Sequence, residues 1–321
     1  MKSLENFSFS SVLGVLKDNV VVLVLLGIFA LLTIASPVFL TAGNLMDVAK
    51  QASINGIIAM GMTFVITTGG IDLSVGPVWA LTGVVVALVI KAGVFFPIAF
   101  IAGILVGCLC GYITGLIITK GRLQPFIATL ATMNVYRGIA LIVTGGYTVY
   151  GLPENFRFLG QGFFLKYIPM PVFIFVVVYA ISWFIFKKQV FGRYLTAIGN
   201  NQEAARLSGI NVKRITSMAY VYSGLLCAIG GGIVATARIS AAEPTIGAGS
   251  ELDAIAAVVI GGTSMSGGES KIRGTLIGAI LLSTINNGLI LLNVPTYYKI
   301  AVVGLIIVVA MLMDAYGKSG K

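Results

Sequence analysis

Hydrophobic residues fall in long blocks separated by short polar or glycine-rich breaks: Val20 to Leu40, Ala52 to Thr68, Ile101 to Thr119, Val172 to Phe186, Gly274 to Leu292 and Ile300 to Met313. Several blocks approach the ~20 residues that a helix needs to cross a bilayer. The pattern predicts ten helical spans, roughly 20–40, 52–68, 75–91, 97–119, 126–144, 170–186, 215–237, 253–262, 274–293 and 298–314. The third and eighth are too short to cross unaided, so eight or nine full crossings is the alternative count. No linker, charge block or low-complexity stretch divides the chain, and 1–321 is expected to be one all-α polytopic membrane domain with both termini cytoplasmic.

Composition supports bilayer as the solvent. The mean hydropathy is +1.01 and only 10% of residues are charged, against about a quarter in soluble domains. Forty glycines suit helices that must pack closely, because lipid supplies no hydrophobic drive between them. Glycines at 103, 107, 111 and 115 recur every fourth residue and line one side of the fourth span. That stripe serves tight packing within one subunit or a subunit interface.

The net charge of +10 would suggest nucleic acid in a soluble protein, but its placement reads as topology. With an inner N-terminus, the inner loops collect Lys2, Lys17, Lys120, Arg122, Lys187, Lys188, Arg193, Arg206, Lys213, Arg214, Lys271, Arg273, Lys318 and Lys321. The outer side holds Lys50, Lys91, Arg157, Lys166, Arg238 and Lys299, with Arg137 inside a span. An excess of cations on one face is the signature of the inner side, and nucleic-acid binding is discarded. The basic start and apolar stretch of residues 1–40 are expected to be an uncleaved first helix rather than a signal peptide.

Chemistry is sparse. Histidine is absent, and Cys108, Cys110 and Cys227 sit in apolar runs as small hydrophobes. No metal-ligand cluster and no nucleophile elbow occurs. The GKS at 317–319 lacks the glycine a phosphate loop requires five residues before Gly317, where Leu312 stands. The chain is therefore expected not to be an enzyme, with no catalytic residue, cofactor or metal of its own.

Two glycine-broken segments interrupt the apolar pattern: GGIDLSVG at 69–76 and GGTSMSGG at 261–268 share the frame GG, three residues, S, one residue, G. Broken helices at membrane depth are tolerated where the freed backbone faces protein or a wet cavity, and paired breaks point to a transport path. Asp72 adds a carboxylate that must face a cavity or a partner. It and Ser74 equally read as caps for the helix continuing through Pro77. Gly69, Gly70, Asp72, Ser74, Asn134, Tyr136, Arg137, Asn286 and Asn287 form the candidate pathway set, together with Ser283. Hydrogen bonding between helices is the structural alternative for Asn286 and Asn287.

The polar stretch GNNQEAARLSGINVKRI at 199–215 stands apart. Asn200 as N-cap, Glu203 reaching back to it, and Gly209 as a left-handed stop predict a helix of about two turns, too short to be stable without docking. It reads either as a rigid element for a partner to push on or as a surface helix packed on its own domain.

Here EAARLSG, Glu203 to Gly209, fits the EAAxxxG pattern by which bacterial ABC importer permeases engage their ATPase subunits, without the I-x-L-P continuation of the maltose-type group. The wider chain resembles the ribose-type sugar permease family in GMTFVITTGGIDLSVG (61–76), QPFIATLATM (124–133), GRYLTAIGNNQEAARLSGINV (192–212), ELDAIAAVVIGGTSMSGG (251–268) and GTLIGAILLSTINNGL (274–289). The resemblance implies a permease for ribose or a related monosaccharide in the bacterial cytoplasmic membrane. Its implied partners are a second permease subunit in a homodimer, two ATP-binding subunits that use ATP and Mg, an extracytoplasmic sugar-binding protein and membrane lipid. Residues 187–214 would be the cytoplasmic coupling loop, acting through Asn200, Glu203, Ala204, Ala205, Arg206 and Gly209. Outer loops at 145–168 and 238–252, with Glu154, Arg157, Lys166, Glu243 and Glu251, are where the binding protein would dock. The rival class is an ion-coupled secondary transporter, for which Asp72 and Arg137 are the main buried charges available.

Overall fold

The computed structural model describes residues 20–295, together with 297, 298, 300–305, 307, 308 and 312. Lys2, Lys17, Lys299, Lys318, Lys321 and the GKS tail lie outside the described residues. The tenth expected span, 298–314, is described only in part, and its described residues are helical.

Helix α1 (Val20–Ala35) stops short of the expected residue 40 because a residue ahead of proline is pushed out of the helical region, and Pro37 follows Ser36. Helix α2 (Ala42–Thr67) begins well before its apolar run, capped by Thr41, whose Oγ1 accepts from the Asn44 amide at 3.4 Å. From Ala52 to Thr67 nearly every residue of α2 is buried. A helix enclosed by other helices need not present an apolar face to lipid. That is why α2 tolerates Gln51, Ser53 and Asn55.

Among the described residues, five helices are long and apolar enough to cross a membrane: α4 (Phe96–Thr119), α5 (Pro125–Thr144), α7 (Met170–Lys188), α10 (Val212–Ile239) and α12 (Ile272–Leu291). Helices α1 and α3 (Val75–Lys91) are shorter and apolar. Prolines in the first turns of α4, α5 and α7 start these helices where a missing N–H costs nothing. Helix α10 contains a π-helical stretch, Ala228–Ala235. Its three consecutive glycines there lie against Ile57, the Trp79 ring and Thr82, so the widened turn seats bare backbone on α2 and α3.

Helix α4 has two faces. Ile98, Ile101, Leu105 and Leu109 are exposed, as lipid-facing side chains are. Opposite them, a Cβ on Gly107 would collide with the Gly224 carbonyl and one on Gly111 with the Tyr220 carbonyl. The backbones of α4 and α10 therefore touch, and Gly115 meets Ser217 one turn further along while Gly103 faces Val86 of α3. Gly103, Gly107, Gly111 and Gly115 thus all pack inside this chain.

The polar connections hold α6 (Glu154–Gln161), α8 (Val190–Asn200), α9 (Gln202–Leu207) and the half-length α11 (Ser250–Ile260). Two minimal antiparallel strand pairs depart from the all-helical expectation: β1 (Val149–Tyr150) with β4 (Ala241–Ala242), and β2 (Phe163–Phe164) with β3 (Ile168–Pro169).

Candidate functional site

The hydrophilic insert folds as α8 and α9 joined at one residue. Leu195 and Ile198 bury one side of α8. Ala205 is 4% exposed and sits with Ile198 and Val212 in a small apolar cluster, the docking that so short a helix needs. The cap lies one residue later than expected. Asn200 is the last residue of α8, and Asn201 caps α9 by accepting from the Ala204 amide at 2.9 Å. Glu203 does not reach back to the cap. It pairs with Arg206 one turn on, with Arg206 Nε 2.9 Å from Oε2 and a second bond from the guanidinium to Oε1, because a guanidinium fork matches a carboxylate better than a lone amide does. Its hydrogen bond holds the Glu203 carboxyl below the ordinary glutamate value. Gly209 ends the helix at φ +84° and donates to the Arg206 carbonyl at 3.0 Å. Ala204, Glu203 and Arg206 are exposed. Leu207, which the sequence reading passed over, is 73% exposed beside them.

The joint between α8 and α9 rests on both glycine-broken segments. The Gly268 amide donates to the Thr67 carbonyl at 3.0 Å, closing the second break onto the end of α2. Gly199 is wedged against that same carbonyl and against the Gly268 nitrogen. A Cβ on Gly268 would overlap the Asn200 side-chain oxygen, and one on Gly267 would sit 2.7 Å from the Gly69 nitrogen. The two segments that share a sequence frame therefore meet in space.

Asp72 is 2% exposed. Its Oδ1 accepts from the Ser74 amide at 3.0 Å and the Ser74 hydroxyl at 2.6 Å. Its Oδ2 accepts from Ser223 Oγ of α10 at 2.9 Å. Ser74 is the N-cap residue of α3 but makes no cap bond itself; Asp72 does the capping, and Ser223, absent from the sequence reading, is the partner it requires. Tyr220 Oη donates to the Ile71 carbonyl at 3.4 Å and crowds Gly70, so α10 seats the whole turn. Gly69 is exposed, at φ +79°.

The remaining candidates separate. Asn134 is exposed and donates to the Leu130 carbonyl of its own helix at 2.9 Å, so it lies off the interior. Tyr136 is buried and its hydroxyl donates to the Cys110 carbonyl at 2.8 Å, fastening α5 to α4. Arg137 donates to the Pro244 and Ile246 carbonyls at 2.7 and 2.8 Å and ties the 240–249 segment to α5 instead of reaching for the surface. Glu251 is likewise no rim charge. It stands half-buried in the first turn of α11 against Gly76, and its Oε2 has no hydrogen-bond partner among the described residues. The buried indole N–H of Trp79 is also unpartnered.

A polar seam joins α2 to α12. Asn44 and Asn287 exchange reciprocal amide bonds at 3.1 and 2.7 Å. Asn55 donates to Ser283 at 3.2 Å, and the hydroxyls of Thr63 and Thr275 lie 2.9 Å apart. Gln51 donates to Asn55 at 3.2 Å and accepts from Arg238 at 2.5 Å. Asn286 is 8% exposed, with its oxygen unpartnered among the described residues. Asn44, Gln51 and Asn55 are spaced seven and four apart on one helix face. That periodicity was available in the sequence but fell outside or at the edge of a span drawn from residue 52.

Residues 44–311 match the family model described as "Branched-chain amino acid transport system / permease component". The ribose import permease protein RbsC of Bacillus subtilis (strain 168) is 49% identical over 90% of this chain and 91% of its own length. The protein of that name from Escherichia coli (strain K12) is 45% identical over 93% and 94%. The D-allose transport system permease protein AlsC of Escherichia coli (strain K12) is 42% identical over 86% and 84%. No solved structure matches the chain.

Proposed function

From a chain that belongs to the family of transport-system permease components, we propose a specific role: the membrane-spanning subunit of a binding-protein-dependent, ATP-driven importer that moves ribose or a related monosaccharide across the bacterial cytoplasmic membrane. The family description names amino acids, whereas the relatives that align over most of this chain carry the names of sugars. The closer likeness decides the substrate class.

One observation carries the mechanism: the α8–α9 joint, at Gly199 and Asn200, is packed on Thr67 and Gly268 where both broken segments meet. In this reading α9 is the coupling element, presenting Glu203, Ala204, Arg206 and Leu207 to an ATP-binding subunit and anchored through Ala205. Displacement of a rigid, docked helix passes to whatever it touches. Here that is the inner end of α2 and the 261–268 turn, which together act as the inner gate. Gly69, Gly70, Asp72 and Ser74 shape that gate rather than contact the sugar.

Solute contact is assigned to Trp79, Glu251 and Asn286. A sugar hydroxyl stripped of water without replacement costs about 1–3 kcal/mol, and these three carry buried polar atoms with no partner among the described residues. The topology proposed is ten crossings with both termini cytoplasmic, two copies of the chain, and ATP and Mg used only in the partner subunits.

Reconstitution tests the reading. Proteoliposomes holding the permease, its ATP-binding subunit and binding protein are expected to accumulate ribose only with ATP. Accumulation driven by an ion gradient with no ATPase present would replace this reading with the secondary transporter.

A further inference from the structure

A cavity of about 890 Å³ opens between the end of α7, the start of α12 and α1. Four cations line it: Lys187 and Lys188 at the end of α7, and Lys271 and Arg273 at the start of α12. None of the four forms an ion pair among the described residues; the carboxylate pairs found there are Lys50–Asp47 and Arg206–Glu203. Glu269, two residues before Lys271, neutralises none of them.

Three further features point to an anion. Lys271 occupies the N-cap position of α12 without a side-chain cap, and residues Lys271, Ile272, Arg273 and Gly274 line the cavity, so the partial positive charge of a 20-residue helix's N-terminus lies at its wall. Ser270 lines the cavity, and its hydroxyl oxygen is buried with no partner among the described residues. The remaining walls are hydrocarbon and indole: Val21 and Val22 of α1, and Trp183 one turn before the lysines. A free phosphate has no use for these apolar walls, whereas a lipid places its phosphate among the cations and its first methylenes against α1. Indole rings are enriched at that headgroup level.

We propose that this cavity is a binding site for the headgroup of an anionic phospholipid, in the inner leaflet under the orientation given above. Basic pockets between membrane helices hold such headgroups. The bound lipid would bridge α7 and α12.

The test uses the whole purified chain without partners, so it stands independently of the transport reading. The chain is placed in nanodiscs of mixed phosphatidylcholine and phosphatidylglycerol, released, and examined by native mass spectrometry for retained lipid. Wild type is expected to retain phosphatidylglycerol in preference to phosphatidylcholine by about tenfold or more. The Lys187→Gln/Lys188→Gln/Lys271→Gln/Arg273→Gln variant should lose that preference. Lys120→Gln/Arg122→Gln, which removes two exposed cations at the α4–α5 turn outside the cavity, should keep it. Should the fourfold variant fail to fold, the two pairwise variants are read in the same assay and each should lose part of the preference. Equal retention in wild type and the cavity variants, loss of preference in the α4–α5 control, or displacement of the lipid by inorganic phosphate would each overturn the proposal.

Discussion

The backbone amide of Gly268 donates to the carbonyl of Thr67 at 3.0 Å, and Gly199 of the polar insert is pressed against both groups. Three segments distant in the chain share one contact made almost wholly of backbone. No side chain intervenes to absorb displacement.

Gly268→Ala is expected to uncouple the importer. The residue has φ +79°, a conformation that costs a non-glycine residue roughly 1–2 kcal/mol, and its new Cβ would overlap Asn200 Oδ1. Ribose uptake in proteoliposomes should fall at least about tenfold, while membrane insertion and co-purification of the ATP-binding subunit persist. Normal uptake would remove the joint from the transmission path.

The exposed and buried sides of α9 should give distinguishable phenotypes. Leu207→Ser is expected to weaken association with the ATP-binding subunit by about 1–2 kcal/mol, roughly the value of one buried leucine, without lowering the melting temperature of the permease alone. Ala205→Asp, which forces a charge into the cluster of Ile198 and Val212, should abolish association by undocking the helix. Gly209→Pro should do the same, since proline cannot adopt φ +84° or donate to Arg206. Pull-down against the ATP-binding subunit and melting of the isolated permease distinguish the two classes.

Asp72 should prove structural. Asp72→Ala strands the hydroxyl of Ser223 and removes the cap on Ser74. It is expected to destabilise the permease by about 1–3 kcal/mol for each buried group left unpaired. Ser223→Ala should cost less. If Asp72→Ala instead kept full stability and lost transport under every condition, the carboxylate would belong to the solute or ion path.

The Asn44–Asn287 pair offers a direct measurement. A double-mutant cycle with alanine, followed by unfolding in mixed micelles, is expected to return about 0.6 kcal/mol of coupling and no more than about 1.7, the range for hydrogen bonds between membrane helices. Zero coupling would mean that the reciprocal amide bonds of the α2–α12 seam do not hold the helices together.

Much of this arrangement was legible in one dimension. Hydropathy placed α4, α5 and α7 to within a residue or two, because lipid-facing segments must be apolar along their length. The four-residue glycine stripe of α4 announced a close neighbour for the same reason, and the left-handed stop at Gly209 followed from local backbone chemistry alone. Helix α2 was truncated at residue 52 because its first turns, residues 42–51, are polar and, Val48 apart, exposed or half-buried, so no continuous apolar run marks them. The shift of the cap from Asn200 to Asn201 turned on Gly268, a residue of another segment that occupies the space beside Asn200.

By itself, then, the chain's composition and periodicity determined that it lives in a bilayer as packed helices and that its polar insert begins and ends as a short helix. Those properties depend on solvent and on neighbours within one or two turns. Which polar groups meet was decided only in three dimensions: Asp72 with Ser223, Asn55 with Ser283, Gly199 with Thr67 and Gly268. Each such meeting joins residues far apart in the chain, by hydrogen bonds or by close backbone packing away from water, and no local pattern encodes which distant segment will supply the partner.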